Sequence, residues 1–207
     1  MKIIVVSAHP DDVELSCSGT LLRLQDQGAD ITSIIAVAPS AEDNANRSKE
    51  IVERELTNSY KLSNFKLKVF DTDVHANGRP NLVANNITMT KLSELFDSCD
   101  IAILPNPEDY HQDHVTTYQL AFPLARKRAK EVWLMQSIPY CHYYKSNTAN
   151  LFVDVSDQWN RKQQLLECYP SYIDHDMINQ VKLSNQYWGS RTKCDLAEAF
   201  TIAYKHV

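Results

Sequence analysis

The sequence predicts an α/β fold in which helices cover both faces of a mainly parallel sheet. Two observations carry this prediction. Short β-branched apolar runs alternate with longer amphipathic segments along most of the chain, which is the order that a parallel sheet with crossover helices requires. The 207 residues, of which 43% are hydrophobic and 23% charged, are also ordinary for a globular protein and sufficient for one buried core. We therefore expect a single domain over residues 1–207.

The alternation is clearest in the first part of the chain. Lys2–Ala8 is a short β-branched apolar run and predicts the first strand. Leu15–Gln27 predicts the helix that follows, because Gly28 is a typical residue for a helix end. Asp30–Val37 then predicts a second buried strand, and Arg47–Leu62 places its apolar residues along one stripe of a helix.

The same order continues through the middle of the chain. Phe65–Val69 alternates apolar side chains with lysines, as a strand does, and Ile87–Phe96 predicts a helix. Asp100–Leu104 predicts a strand that prolines cut short. Val115–Arg128 predicts a helix whose basic last turn suits the negative end of the helix dipole.

The last part of the chain is less regular. Glu131–Gln136 and Leu151–Val155 predict two more strands, and Asp157–Cys168 predicts another helix. After Tyr169 the pattern weakens, and we interpret Pro170–Val207 as a cap on the same domain.

Charge and composition exclude several classes of protein. The 21 Lys and Arg residues are scattered and outnumbered by 26 Asp and Glu residues, which leaves no cationic surface for nucleic acid. No apolar run approaches the ~18 residues of a membrane span, and the apolar N-terminus breaks at His9 before it reaches the length of a signal peptide. We expect a cytoplasmic chain without a transmembrane segment. Its 5 cysteines contain no CxxC pair, which argues against disulfides and against a cysteine zinc site.

A first cluster of chemically active residues stands directly after the first predicted strand, in the run Ala8-His9-Pro10-Asp11-Asp12-Val13-Glu14. Open α/β sheets bind their ligands at the carboxyl ends of strands, so this turn lies where a functional site is expected. It lacks the glycines of a dinucleotide-binding turn. The plain alternative is that Asp11 or Asp12 only caps the following helix.

A second cluster, Asn106-Pro107-Glu108-Asp109-Tyr110-His111-Gln112-Asp113-His114, follows the strand predicted over Asp100–Leu104. If the sheet has the common doubly wound order, the first and fourth strands are neighbours and both clusters face one crevice. His and Asp side chains from two loops suit a divalent metal, and three protein ligands with one open position form the pattern of catalytic zinc. The adjacent carboxylates of Asp11 and Asp12 point in different directions, so that one can bind metal while the other faces water.

The two clusters resemble the motifs of a known enzyme family. His9-Pro10-Asp11-Asp12 with Glu14 and Gly19-Thr20, followed by His111-Gln112-Asp113-His114, is similar to the AHPDDxE…GGT and HxDH signatures of the PIG-L/LmbE-like zinc-dependent N-deacetylases. The similarity extends to Leu151–Ser156 and Ala197–Phe200. The resemblance implies an LmbE-like, Rossmann-like three-layer sandwich.

The resemblance also implies roles for single residues. The implied metal ligands are His9, Asp12 and His114, holding zinc or another divalent metal such as Fe²⁺. Asp11 would act as general base toward water. His111 would stabilise the oxyanion or protonate the leaving amine, with Asp113 orienting and charging it.

The substrate contacts follow less directly from the resemblance. The family holds its sugar with an Arg and an Asp, for which Arg54 or Arg47 and Asp73 or Asp71 are the candidates. Tyr110 is a further candidate, since an aromatic side chain beside the second motif can stack on a sugar or simply pack.

The expected function is removal of an N-acetyl group from an amino sugar or sugar conjugate of the N-acetylglucosamine type. Two alternatives stay open: hydrolysis of another amide at the same metal site, and a non-catalytic sugar-binding protein that retains the fold. A decayed site should have lost a ligand or the base, and none is lost. Ser18, in place of the first glycine of GGT, and Val13, in place of a common acidic residue, depart from the family pattern outside the ligand positions.

Overall fold

A computed structural model describes the chain over residues 1–37, 48–72, 81–138, 141 and 149–206. Within these residues seven strands form one sheet. Strands β1 to β7 span Lys2–Ser7, Asp30–Ile35, Lys66–Val69, Cys99–Pro105, Ala129–Met135, Leu151–Asp154 and Ala197–Lys205. Helices α1 to α7 span Asp12–Ser16, Ser18–Asp26, Lys49–Ser63, Asn86–Leu95, Gln112–Arg128, Trp159–Leu166 and His175–Ser190. None of these described helices combines the length and the apolar character that a membrane crossing requires.

The order of strands in the sheet is β3-β2-β1-β4-β5-β7-β6. Neighbours from β3 to β5 in this order pair in parallel, whereas β7 runs antiparallel to both β5 and β6. Val5 of β1 lies opposite Ser33 of β2 on one side and Ile103 of β4 on the other. The predicted adjacency of the first and fourth strands is therefore confirmed, and their carboxyl ends lie side by side.

Alternate residues of the central strands point to opposite faces of the sheet. Ile4 and Val6 belong to an apolar cluster with residues of α4 and α5, whereas Ile3 and Val5 belong to a second cluster with residues of α2 and α3. All four side chains are fully buried. Helices thus cover both faces, which confirms the predicted α/β three-layer architecture.

The C-terminal segment is not the cap that we predicted for Pro170–Val207. It contains α7 and then β7, which lies inside the sheet between β5 and β6. The strand was missed because it begins with Ala197 and Ala199, small residues of low strand propensity, although its first four residues are buried between two neighbouring strands. Asp174 does carry a local signal for α7, since its side chain accepts the Met177 N–H at the start of that helix.

The helix predicted over Leu15–Gln27 is divided into α1 and α2. The two helices meet at Cys17, whose backbone leaves the helical conformation at φ −146° and ψ 5°. The first of them begins earlier than predicted, at Asp12, so the His9–Asp12 turn runs directly into a short helix.

Candidate active site

The two predicted clusters meet at the carboxyl ends of β1 and β4. His9–Asp12 leaves β1, and the loop after β4 leads through His111, at the N-cap, into α5. The ring centroid of His9 lies 4.7 Å from that of His111 and 5.3 Å from that of His114. The His111 and His114 centroids are 5.0 Å apart. Residues about a hundred positions apart in the sequence thus form one site, because the parallel order brings both strand ends to one edge.

The arrangement of donor atoms fits a divalent metal ion. Among the described residues, His9, His111 and His114 form a group whose ligand atoms all lie within 4.8 Å of one another. The Asp12 carboxylate lies between two of them, with Oδ1 3.2 Å from His114 Nε2 and Oδ2 3.7 Å from His9 Nδ1. Two ligand atoms that are each about 2.0–2.1 Å from a tetrahedral zinc lie about 3.3 Å apart. Imidazole and carboxylate donors at this spacing therefore suit zinc.

Each of the two histidines that face Asp12 has a second carboxylate on its other ring nitrogen. His9 Nε2 lies 3.0 Å from Asp113 Oδ2, and His114 Nδ1 lies 2.7 Å from Asp109 Oδ2. A carboxylate accepts hydrogen bonds, so these ring nitrogens are the donors. This leaves His9 Nδ1 and His114 Nε2 directed at Asp12. Outer carboxylates of this kind commonly fix the tautomer and orientation of metal-binding histidines.

The charges of the site favour a cation. Burial opposes ionisation of Asp12, but the charges of His114 and His9 and their hydrogen bonds outweigh it and lower the pKa of this carboxyl group well below its usual range. Burial likewise disfavours the charged form of His114, yet Asp12 and Asp109 raise its pKa to about 10. In the metal-free chain a proton on His114 therefore balances a buried carboxylate, and a bound metal ion would supply this positive charge instead.

Asp11 has an unusual backbone conformation. Its φ of 116° and ψ of −24° lie in a region that L-residues rarely adopt, and the residue is only 5% exposed. It occupies the N-cap position of α1, but its side chain makes no capping hydrogen bond to that helix. Helix capping by the side chain, the plain alternative for Asp11, is therefore not observed. Backbone strain of this kind persists where the surrounding structure imposes it, which is common at active sites.

His111 stands beside the proposed ligands with a defined tautomer. Its Nδ1 accepts a hydrogen bond of 3.3 Å from the backbone N–H of Asp113. The neutral ring therefore carries its proton on Nε2. Burial and the neighbouring charges of His9 and His114 lower the pKa of His111, although Asp113 and Asp12 partly oppose this change. Asp113 was expected to orient and charge His111, but its carboxylate is hydrogen-bonded to His9 and acts on His111 only through its charge.

Comparison with known proteins identifies the family. Residues 4–125, more than half of the chain, match the family described as PIG-L: GlcNAc-PI de-N-acetylase. The chain belongs to the PIG-L family. A relative from Escherichia coli K12, the "Uncharacterized deacetylase YaiS", is 26% identical over 137 residues, which are 60% of this chain and 68% of that protein.

Solved structures share the fold of this PIG-L member. The N,N'-diacetylchitobiose deacetylase from Pyrococcus horikoshii aligns with a TM-score of 0.72 over 97% of this chain and 83% of its own, at 16% identity. GalB, the 4-carboxy-2-hydroxymuconate hydratase from Pseudomonas putida KT2440, aligns with a TM-score of 0.80 over 100% of this chain and 97% of its own, at 15% identity. At these identities the likeness shows the fold alone, and the fold does not decide the reaction.

The residues proposed to contact substrate in this PIG-L member lie in different settings. Tyr110 is 62% exposed in the loop between β4 and α5, beside the histidines. Arg54 lies on an exposed face of α3, and Asp71 is exposed after β3. Asp73 and Arg47 lie outside the described residues.

Asp109 is a functional candidate that sequence reasoning missed, although it was part of the second cluster. It is 6% exposed and serves two residues, because Oδ2 pairs with His114 Nδ1 and Oδ1 accepts the His111 N–H at 2.8 Å. Its position five residues before His114 was visible, but only the folded loop shows which ring nitrogen it faces.

Replacing this carboxylate should weaken the metal site without removing a ligand. We expect Asp109→Asn to lower the affinity for Zn²⁺ by about 10–100-fold, because an amide is a weaker partner for the His114 ring. Competition with a coloured chelator measures this change. Asp30→Asn, at an exposed acid that begins β2 at the opposite end of the sheet, is the control. Equal affinities for the wild-type and Asp109→Asn proteins would contradict the role.

Proposed function

We propose that the protein is a metal-dependent hydrolase that removes an N-acetyl group from an amino sugar or sugar conjugate of the N-acetylglucosamine type. The observation that carries the proposal is the buried Asp12 carboxylate between His9 Nδ1 and His114 Nε2, with Asp11 as its neighbour. Membership of the PIG-L family and the relative from Escherichia coli K12 that is named as a deacetylase support the reaction class.

In the proposed mechanism the ligands are His9, Asp12 and His114, held by the outer carboxylates of Asp113 and Asp109. A divalent ion bound there would supply a Lewis acid that acidifies water and polarises an acyl oxygen. Zinc fits the donor set best, and Fe²⁺ is the alternative.

The remaining residues of the mechanism handle protons and charge. Asp11 accepts the proton of the attacking water. His111, whose Nε2 carries the proton of the neutral ring, stabilises the developing oxyanion or protonates the leaving amine. The proposed substrate contacts are Tyr110, which is exposed and precedes His111 in the chain, together with Arg54 and Asp73.

A screen of metal-loaded protein over N-acetylated sugars, reading the free amine, tests this function. The panel includes free N-acetylglucosamine, N,N'-diacetylchitobiose, nucleotide-linked, lipid-linked and thiol-linked N-acetylglucosamine, and simple N-acetyl amides. We expect turnover of at least one sugar. Turnover of the simple amides alone would indicate another amidohydrolase. Stoichiometric metal without any turnover would indicate a binding protein or another reaction of this fold.

Metal content gives an independent test. Protein purified without chelators should contain about one divalent transition metal ion per chain, measured by elemental analysis. His114→Ala should lower this content while the circular dichroism spectrum is retained, because a core of this size does not depend on a metal. Absence of zinc, iron and other transition metals, with no uptake on reconstitution, would contradict the proposal.

A further inference from the structure

A buried ion pair contacts the two helices that follow the His9–Asp12 turn, and it has no role in the mechanism above. Lys162 Nζ of α6 is 2.6 Å from Glu198 Oε1 of β7, and both side chains are 0% exposed. Lys and Glu are almost never fully buried unless they are paired. Removing two charges from water is costly, and apolar residues of similar volume are often as stable in such a place. The pair therefore calls for an explanation other than stability.

The pair contacts the backbone at the junction of α1 and α2. Lys162 Nζ donates to the carbonyl oxygen of Leu15 at 3.1 Å, near the end of α1. The Glu198 carboxylate accepts the N–H groups of Gly19 at 2.9 Å and Thr20 at 2.7 Å, in the first turn of α2. A cation thus meets the negative end of one helix and an anion the positive end of the next.

Gly19 leaves room for this contact. A Cβ atom at this position would lie 3.0 Å from Glu198 Oε1 and 3.0 Å from Val155 Cβ, closer than ordinary van der Waals contact. The carboxylate reaches the start of α2 because this residue has no side chain. The Gly19-Thr20 part of the sequence motif thereby has a structural role, which is to bind the Glu198 carboxylate close to the His9–Asp12 turn.

The contact at Leu15 leads directly to Asp11. Helix α1 has 5 residues, too few to be stable on its own, so tertiary contacts must hold it. The N–H of Leu15 donates to the carbonyl oxygen of Asp11 at 2.9 Å, while its own carbonyl oxygen accepts from Lys162. Asp11 is the residue with the strained φ of 116°. Such strain persists only when neighbouring structure imposes it.

We propose that the Lys162–Glu198 pair is a positioning device that holds α1 and thereby sets the conformation of Asp11 and the position of Asp12. This inference rests on the proposed function, in which Asp11 is the base and Asp12 a ligand. Neither Lys162 nor Glu198 contacts substrate or metal. Both act through the backbone of α1, where a displacement of about 1 Å can cost as much as 10²-fold in rate.

The test uses the double variant Lys162→Met/Glu198→Gln, which removes both charges and keeps the side-chain volumes. We expect kcat on the sugar found by the screen to fall at least about tenfold, with a smaller change in KM, because the base is misplaced and the sugar contacts are not. Zn²⁺ affinity should fall about tenfold, and the visible spectrum of the Co²⁺-substituted protein should change. The melting temperature should stay close to that of the wild type.

Two controls separate positioning from general damage. Arg161 precedes Lys162 on α6 and forms an exposed ion pair with Asp26. Arg161→Met removes that pair and should change none of these quantities. In the Asp11→Asn background the double variant should lower kcat much less, because the misplaced base is already absent. If the double variant does not fold, Glu198→Asp keeps the charge but shortens the reach, and the same losses are expected.

Wild-type kcat and Zn²⁺ affinity in a folded double variant would overturn the proposal. Losses of kcat and affinity that only follow a drop in melting temperature would overturn it as well. Failure of the proposed function appears differently, as absence of turnover in the wild-type protein. The Zn²⁺ affinity and the Co²⁺ spectrum then still decide whether the pair positions α1.

Discussion

Asp11→Asn should lower kcat by about 10²–10⁴-fold while the protein still binds about one metal ion per chain. The amide has nearly the shape of the carboxylate but cannot accept the proton of water. Asn is also one of the few residues that tolerate a positive φ, so the backbone at φ 116° should be retained. The expected loss is therefore chemical and not conformational. Steady-state kinetics and elemental analysis of the same preparation measure both quantities.

Asp12→Asn makes the same side-chain change at the next residue and is the matched comparison for Asp11→Asn. Asp12 lies between His114 Nε2 and His9 Nδ1, so the loss of its charge should weaken the metal site itself. We expect reduced metal content and a lower Zn²⁺ affinity. The reverse pattern, with metal lost in Asp11→Asn and kept in Asp12→Asn, would show that the two roles are exchanged, although the reaction class would stand.

Replacement of His111 should have the second largest effect. His111→Ala should lower kcat by about 10²–10³-fold, the usual cost of removing one donor that stabilises an oxyanion. His111→Gln separates the two roles proposed for this residue, because its amide N–H can take the place of the Nε2 donor but cannot transfer a proton. Recovery of most of the activity in His111→Gln would indicate hydrogen bonding. An effect as large as that of His111→Ala would indicate proton transfer.

The pH profile of activity gives a second readout of His111. A base that must be ionised and an acid that must be protonated predict a bell-shaped curve. Since burial, His9 and His114 lower the pKa of His111 from its usual 6.5, the protonated form is lost at lower pH than for a free histidine. Activity that needs this form should therefore fall as the pH rises through the lowered value. This basic limb should vanish in His111→Gln, and an unchanged limb would exclude the acid role.

The candidate metal site could be predicted from sequence to an unusual degree, because its residues stand in two short runs of the chain. His9, Asp11 and Asp12 stand together after one strand, and His111, Asp113 and His114 stand together after another. One rule of topology, that neighbouring parallel strands end at the same edge of a sheet, was enough to bring both groups together. The strand pairing of β1 with β4 confirms this prediction.

Other features depended on contacts that the chain order does not reveal. Strand β7 was missed because it begins with alanines of low strand propensity, although Phe200, Thr201 and Ile202 are typical strand residues. Its place between β5 and β6 is visible only in the structure. The break between α1 and α2 was missed because the Glu198 carboxylate, which accepts the Gly19 N–H at the start of α2, lies 179 positions away in the chain. No periodicity within a short window reports such an interaction.

The sequence by itself determined the α/β class with its mainly parallel sheet, the family and the residue types that converge at the site. Only the tertiary structure decided which atom of each residue faces which partner. Asp113 pairs with His9, 104 positions away, and Asp109 with His114, which sets the ring nitrogens directed at Asp12. These pairings depend on the loop paths and the ring orientations, because the two atoms of a hydrogen bond must lie within a narrow range of distances. Such distances arise from the packing of the whole chain and not from the spacing of a motif.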